Sequence, residues 1–301
     1  MSKIILGTAK FGTSNYGFSS KNKRISSFQI LKLANELGID TLDTSPRYGI
    51  AEKIIGQYHR ENKKKFNICT KIDSLLVNSK ESAKKIYESV NCSLEALKVD
   101  NIQTLYLHQN ELEIISDKNI IAALLNLKND GFVEKIGVSI YSKKECEFAF
   151  KTDFYDVIQL PISILDSHIY SEIIKSNSSK EIIARSIFLQ GLILNRSRIN
   201  SEIDQSDDVL NALKILDELS QKYNYSLLDI AIGYVKGLSK VNKIIVGTSS
   251  DKNLIEIVKA ERIELPPKLN DELKMFSSKY KIWGNPRNWR RPKSYHNRRT
   301  T

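Results

Sequence analysis

Apolar residues recur along this chain in two rhythms. Short runs such as Ile4-Ile5-Leu6, Thr41-Leu42-Asp43 and Ile182-Ile183-Ala184-Arg185 have the length of buried strands. Longer segments repeat apolar residues three and four positions apart, as at 30, 31, 33, 34 and 37, which is one face of a helix. The runs predict strands at 4–6, 41–43, 66–70, 104–107, 133–138, 157–160, 182–185 and 243–246. The helical rhythm predicts helices at 30–37, 51–58, 82–97, 120–127, 143–150, 208–223, 227–237, 254–260 and 271–280. Gly38 and Asp130-Gly131 are stop signals for two of these helices, and Pro161 breaks the sixth strand. Gly12 and Gly17 mark a loop after the first strand. Strands separated by helices pair in parallel, and eight of them close a barrel, so the fold class read here is α/β, a (β/α)8 TIM barrel. An open doubly wound sheet is the competitor. No Gly-x-Gly-x-x-Gly follows the first strand to favour it.

Length and composition agree with one such domain. The chain has 301 residues and is 41% apolar, enough for a large core. The expected division is a barrel over 1–278 and a basic tail over 279–301. No apolar run reaches membrane-spanning length, and the N-terminus enters an apolar strand at once, so neither a membrane span nor a signal peptide is expected. Cys69, Cys92 and Cys146 are odd in number and far apart, which fits a reducing cytoplasm better than a disulfide framework. No Cys-x-x-Cys or His-x-x-x-His supports a metal site. The net charge of +11 asks for an anionic partner, but much of it is local. From Lys279 onward there are eight Lys or Arg and no carboxylate side chain.

The polar residues at the strand ends carry the chemistry. Asp43 ends the second strand, and Tyr48 follows on a loop marked by Pro46 and Gly49. Lys71 and His108 end the third and fourth strands. Strand ends of a parallel barrel meet on one face, so these four converge. A phenol, with a pKa of about 10, is a poor acid near neutrality, and a nearby ammonium lowers that value. Lys71 is placed to do so, Asp43 to orient Lys71, and His108 to polarise the same carbonyl oxygen. Side chains cannot supply a hydride, so a nicotinamide cofactor is implied. Ser139 and Gln159 stand where they can hydrogen-bond its carboxamide. Gly247-Thr248-Ser249-Ser250, before a helix, offers backbone N–H groups to a phosphate.

With these residues in view the chain resembles the aldo/keto reductases over about 4–260. The resemblance rests on Leu6-Gly7-Thr8, on Asp43-Thr44-Ser45-x-x-Tyr48-Gly49 with Glu52 and Gly56, and on Thr70-Lys71 and Leu107-His108. Ile136-Gly137-Val138-Ser139, Gln159-Leu160-Pro161 and Val246-Gly247-Thr248-Ser249 follow in the same order. It implies Asp43, Tyr48, Lys71 and His108 as the catalytic set and NADPH as cofactor, with NADH as the alternative. It further implies cofactor contacts from Gly7, Thr8, Asp43, Ser139, Gln159, Arg185, Ser186, Phe188, Gly191, Gly247, Thr248, Ser249, Asn253 and Glu256. The substrate would be a small aldehyde or ketone.

Three positions depart from the family pattern. Ile140 stands where an Asn usually binds the carboxamide. Arg185 replaces an aromatic that stacks on the nicotinamide, and a guanidinium there can lie on a ring or bind an acidic substrate. Asn253 stands where an Arg often grips the 2′-phosphate of NADPH. The run Arg185-Ser186-Ile187-Phe188-Leu189-Gln190-Gly191 resembles a bacterial branch associated with surface sugars, hence a sugar-like or anionic carbonyl as the substrate expectation. A nucleotide-binding regulatory or redox-sensing barrel without turnover is the competing reading. The Trp- and Arg-rich stretch 283–293 is read as a packed tail rather than a nucleic-acid arm, and substrate loops are expected at 17–22 and 192–207. Oligomeric state stays open.

Overall fold

The computed structural model describes residues 2–12, 26–167, 169–174, 179–195 and 206–279. Eight parallel strands form a closed barrel in chain order: β1 (Ile4–Gly7), β2 (Thr41–Asp43), β3 (Asn67–Ile72), β4 (Ile102–Leu107), β5 (Val133–Ser139), β6 (Val157–Pro161), β7 (Glu181–Arg185) and β8 (Lys243–Val246). β8 pairs with β1, with Ile5 beside Ile245, which closes the ring. The helices α1 (Ala9–Gly12), α2 (Ser27–Glu36), α3 (Ala51–Glu61), α4 (Lys80–Leu97), α5 (Leu112–Ile115) and α6 (Lys118–Asn129) belong to the first half. α7 (Lys143–Lys151), α8 (Tyr170–Ile174), α9 (Ser206–Tyr223), α10 (Leu227–Lys236), α11 (Asp251–Glu261) and α12 (Pro267–Lys279) belong to the second.

All eight expected strands are present. The differences are local. Lys71 lies inside β3, because that strand runs on to Ile72. Pro161 closes β6 instead of breaking it: the strand keeps pairing to Arg185 through Pro161, and the next N–H, that of Ile162, donates to the Arg185 carbonyl at 3.1 Å. The glycine loop after β1 begins as the short helix α1. The short helices α5 and α8 have too few residues to show a period. The tail from 280 onward, the expected loop at 17–22 and residues 196–205 of the expected loop at 192–207 lie outside the described residues.

Alternation along each strand divides the core. Outward residues such as Ile4, Leu42, Ile68, Leu105, Val138 and Ile158 join one large apolar cluster with the helices. Ile5, Cys69, Tyr106, Val157 and Ile183 form a smaller cluster inside the barrel. Gly137 of β5 makes room for the Tyr106 ring: a Cβ there would fall 2.4 Å from the ring. Among the described residues no helix is long and apolar enough to cross a membrane.

Candidate active site

The loop after β2 is built by local hydrogen bonds. The Ser45 hydroxyl accepts from the Arg47 N–H at 3.2 Å, and the Tyr48 N–H donates to the Ser45 carbonyl at 2.9 Å. Gly49 turns the chain at φ +59°. Gly12 of α1 packs against this loop so closely that a Cβ on it would lie 1.7 Å from the Tyr48 carbonyl oxygen. Two glycines therefore set the height at which Tyr48 stands over the barrel.

Beneath it, Lys71 and Asp43 are 2% and 4% exposed. Lys71 Nζ donates to Asp43 Oδ1 at 2.6 Å and to the Thr44 carbonyl at 2.8 Å. It lies 5.2 Å from the centre of the Tyr48 ring. Burial draws the Lys71 pKa down, but Asp43 and Tyr48 outweigh it and the ammonium ends above the usual lysine value. The Tyr48 phenol goes the other way from the simplest expectation. Burial pushes its pKa up, Lys71 recovers only part, and the net value lies above that of a free tyrosine. Burial also pushes the nearby Cys69 thiol up to about 12, so it stays protonated.

The other oxygen of Asp43 accepts from Gln159 Nε2 at 2.9 Å. β2 and β6 are not neighbours in the ring, so this bond crosses the barrel interior. Ser139 Oγ donates to Gln159 Oε1 over a long 3.4 Å. His108 follows β4, with its side chain 23% exposed. Burial and the Lys71 charge pull its pKa down to about 4, against the pull of Asp73, so the ring is neutral near pH 7.

The four candidates for chemistry thus come together with Ser139 and Gln159. The candidates for the rest of a cofactor lie around the rim. Gly7 and Gly247 end or follow the adjoining strands β1 and β8, and a Cβ on Gly247 would come 3.2 Å from the Gly7 carbonyl oxygen. Thr8 is fully buried and its hydroxyl donates to the Asp43 carbonyl at 3.0 Å. Ser186, Leu189 and Gln190 all have positive φ in the turn after β7, ending at Gly191 with φ +96°. Phe188 in that turn packs on the core. Ser250 caps α11 by accepting from the Asn253 N–H at 3.4 Å, and the Thr248 hydroxyl accepts from the Ser250 N–H at 3.1 Å. Of the N–H groups expected for a phosphate, that of Ser250 therefore already has an acceptor. Ser249 is partly exposed beside them, and Glu256 faces Lys252 at 4.0 Å on the surface of α11.

The departures also have places. Ile140 is fully buried and offers a carbonyl, which accepts from Arg185 Nη2 at 3.1 Å. The Arg185 guanidinium lies over the Tyr141 ring, 4.0 Å from its centre. Two residues escaped the sequence reading: Arg47, beside Tyr48, pairs with Asp73, and Asp73 approaches His108. The strand period was a signal for Asp73, since it lies two residues beyond Lys71 and shares its side.

The fold and site together define a parallel eight-stranded barrel with a buried lysine–carboxylate pair under a tyrosine at its strand ends. The profile of the aldo/keto reductase family matches residues 3–277, and the chain belongs to that family, whose members are oxidoreductases of carbonyl compounds that use nicotinamide cofactors. It is 24% identical over 298 residues to the NADH-specific methylglyoxal reductase of Escherichia coli (strain K12), covering 88% of this chain and 91% of that one. Its fold is similar to glycerol dehydrogenase of Gluconobacter oxydans, with a TM-score of 0.73, 20% identity and 94% and 93% of the two chains covered. It is also similar to the holo form of an aldo-keto reductase from Bacillus halodurans, with a TM-score of 0.69, 24% identity and 83% and 85% covered.

The residues present fit a nicotinamide. The Ser139–Gln159 bond is long enough to exchange for a carboxamide. Thr44, whose carbonyl accepts from Lys71, keeps a buried Oγ1 with no hydrogen-bond partner among the described residues, so polar capacity remains beside the pair.

Proposed function

We propose that the chain is a nicotinamide-dependent carbonyl reductase in which Tyr48 is the general acid. The observation that carries this reading is the buried Lys71–Asp43 pair beneath the Tyr48 ring. The cofactor supplies the hydride when bound. Tyr48, kept protonated by burial, gives its proton to the carbonyl oxygen as charge develops there. Lys71 limits how far burial raises the phenol and steadies the phenolate left behind. Asp43 keeps Lys71 charged, and Gln159 and the Thr8 hydroxyl, through the Asp43 side chain and carbonyl, hold it still. A neutral His108 hydrogen-bonds the same carbonyl oxygen.

Ser139 and Gln159 would hold the carboxamide, the turn 186–191 the pyrophosphate, and Thr248, Ser249 and Asn253 the adenosine end. At that end NADH suits the residues better than the NADPH of the family resemblance. Asn253 brings no charge, and Asp251 and Lys252 beside it in the first turn of α11 offset each other, so no net cation is left there for a 2′-phosphate. The name of the Escherichia coli relative points the same way. Arg185 pairs with no carboxylate among the described residues, and this favours a substrate with an anionic group near the carbonyl. Two measurements test the reading. Tyr48→Phe is expected to lower kcat by about 10²–10⁴-fold, the usual share of general acid catalysis, while cofactor affinity stays within about twofold. Wild-type turnover in that variant would overturn it. Fluorescence titration is expected to give tighter binding of NADH than of NADPH, and the reverse order would reject the cofactor assignment.

A further inference from the structure

Asp73 sits where the surroundings of three candidate catalytic residues meet. It lies two residues after Lys71. Its Oδ2 takes the Arg47 guanidinium, and Arg47 directly precedes Tyr48. The same oxygen is 3.5 Å from His108 Nδ1. Arg47 is 59% exposed, while Asp73 and His108 are 18% and 23% exposed, so the pair reaches the water-facing rim through its arginine.

The charge on Asp73 matters because a neutral imidazole carries only one N–H. A bare carboxylate facing Nδ1 draws the ring proton to Nδ1, or adds a second one. With the single proton on Nδ1, Nε2 has only a lone pair and cannot donate to a carbonyl oxygen. Arg47 opposes this by compensating the carboxylate. Nδ1 makes no hydrogen bond to Asp73 or to any other group among the described residues, so no direct bond ties the ring proton to that nitrogen.

We propose that the Arg47–Asp73 pair is a positioning device that sets the proton of His108: Arg47 neutralises Asp73, so the proton stays on Nε2, the nitrogen that faces the substrate oxygen. This rests on the carbonyl-reductase reading for its use, but not for its existence. The charged groups acting on His108 are Lys71 of β3, Asp43 of β2, and Arg47 and Asp73 on the two loops. Lys71 and Arg47 disfavour the imidazolium, and Asp73 and Asp43 favour it. Arg47 is the one that is both exposed and outside the Tyr48–Lys71–Asp43 group, so its charge is removed with the least disturbance of the rest.

A purely mechanical clamp between the two loops predicts something different. It would lose the same function from either side of the pair, and losing both sides would restore nothing. The experiment compares wild type, Arg47→Met, Asp73→Asn and the double variant as full-length chains. Nitrogen NMR of the His108 ring, assigned by a His108→Gln control, reads the proton without any substrate. The pH profiles of kcat and KM read its use with a carbonyl compound that the wild type reduces. In Arg47→Met the proton is expected on Nδ1, the His108 pKa moves up, and kcat falls roughly tenfold, the scale of one lost hydrogen bond. Asp73→Asn is expected to keep the proton on Nε2, since its amide can donate to Nδ1, and to keep kcat within about threefold. The double variant is expected to return to the level of Asp73→Asn. An unchanged ring in Arg47→Met, or a double variant no better than Arg47→Met, overturns the proposal. A wild type that reduces no carbonyl compound would reject the reductase reading instead, and the NMR comparison would still decide this one.

Discussion

Lys71 is the side chain on which most of the proposed chemistry depends, and two opposed forces act on it. Burial disfavours its charge, while Asp43 and Tyr48 restore it. Lys71→Met removes the cation from both neighbours. Burial then acts on Tyr48 unopposed by that charge, its pKa rises further, and reduction is expected to slow by about 10²–10³-fold. The same change leaves Asp43 buried without its ion pair, which costs about 3–5 kcal/mol of stability. Denaturant unfolding beside turnover separates the two effects: adding Asp43→Asn to the Lys71→Met chain should recover stability and no activity. A stable Lys71→Met single variant would show that the pair is less closely coupled than its 2.6 Å bond implies.

Glu52, Gly56 and His59 of α3 show how a motif can look chemical and serve packing. Glu52 accepts from the Thr70 hydroxyl at 2.6 Å and from Ser93, outside the strand ends. Gly56 lets α3 press on α4, where a Cβ would lie 1.9 Å from the Ala96 carbonyl oxygen. His59 Nδ1 donates to the Leu97 carbonyl at 2.8 Å, while Nε2 accepts from the Phe66 N–H at 3.1 Å. The ring thus joins α3 to the end of α4 and the start of β3 in its neutral form. Burial lowers its folded pKa below 6.5. Its contribution is therefore complete above that unfolded value and is lost as pH falls through the folded one. His59→Leu is expected to cost about 1–3 kcal/mol for each of the two orphaned backbone groups and to flatten the acid side of the stability curve. Urea melts at several pH values check both; an unchanged slope below pH 6.5 would place the titration elsewhere.

At the scale of the barrel, the site is held from below by contacts between strands that are distant in sequence. Gln159 reaches Asp43 across the interior, and Tyr106 fills the space under them because Gly137 yields it. Gly137→Val puts branched atoms into the Tyr106 ring, which is 1% exposed and closed in on all sides. The expected cost is about 1–3 kcal/mol, with a loss of activity at temperatures where the fold survives, since the displaced ring pushes on the Asp43–Gln159 layer. Thermal unfolding and turnover measured side by side test this. A variant with wild-type stability would mean that the ring has another place to go.

The eight strands and the four converging residues were readable in advance because each leaves a local mark. Buried strands are short apolar runs, crossover helices repeat at three and four, and a parallel barrel brings successive strand ends to one face. Asp43, Tyr48, Lys71 and His108 needed nothing more to be grouped. Their settings were not readable, because pKa, proton position and pairing depend on neighbours that the chain brings together only on folding. Gln159 turned out to brace Asp43 from the far side of the barrel, and no periodicity marks a contact across 116 residues. Arg47 and Asp73 are brought together only where the two loops meet beside His108. Burial, a property of the assembled barrel, decided that Tyr48 ends above the usual tyrosine value although Lys71 lies beneath it. Residue types along the chain settle which chemistry is available, and three-dimensional proximity and desolvation settle which protonation states that chemistry starts from.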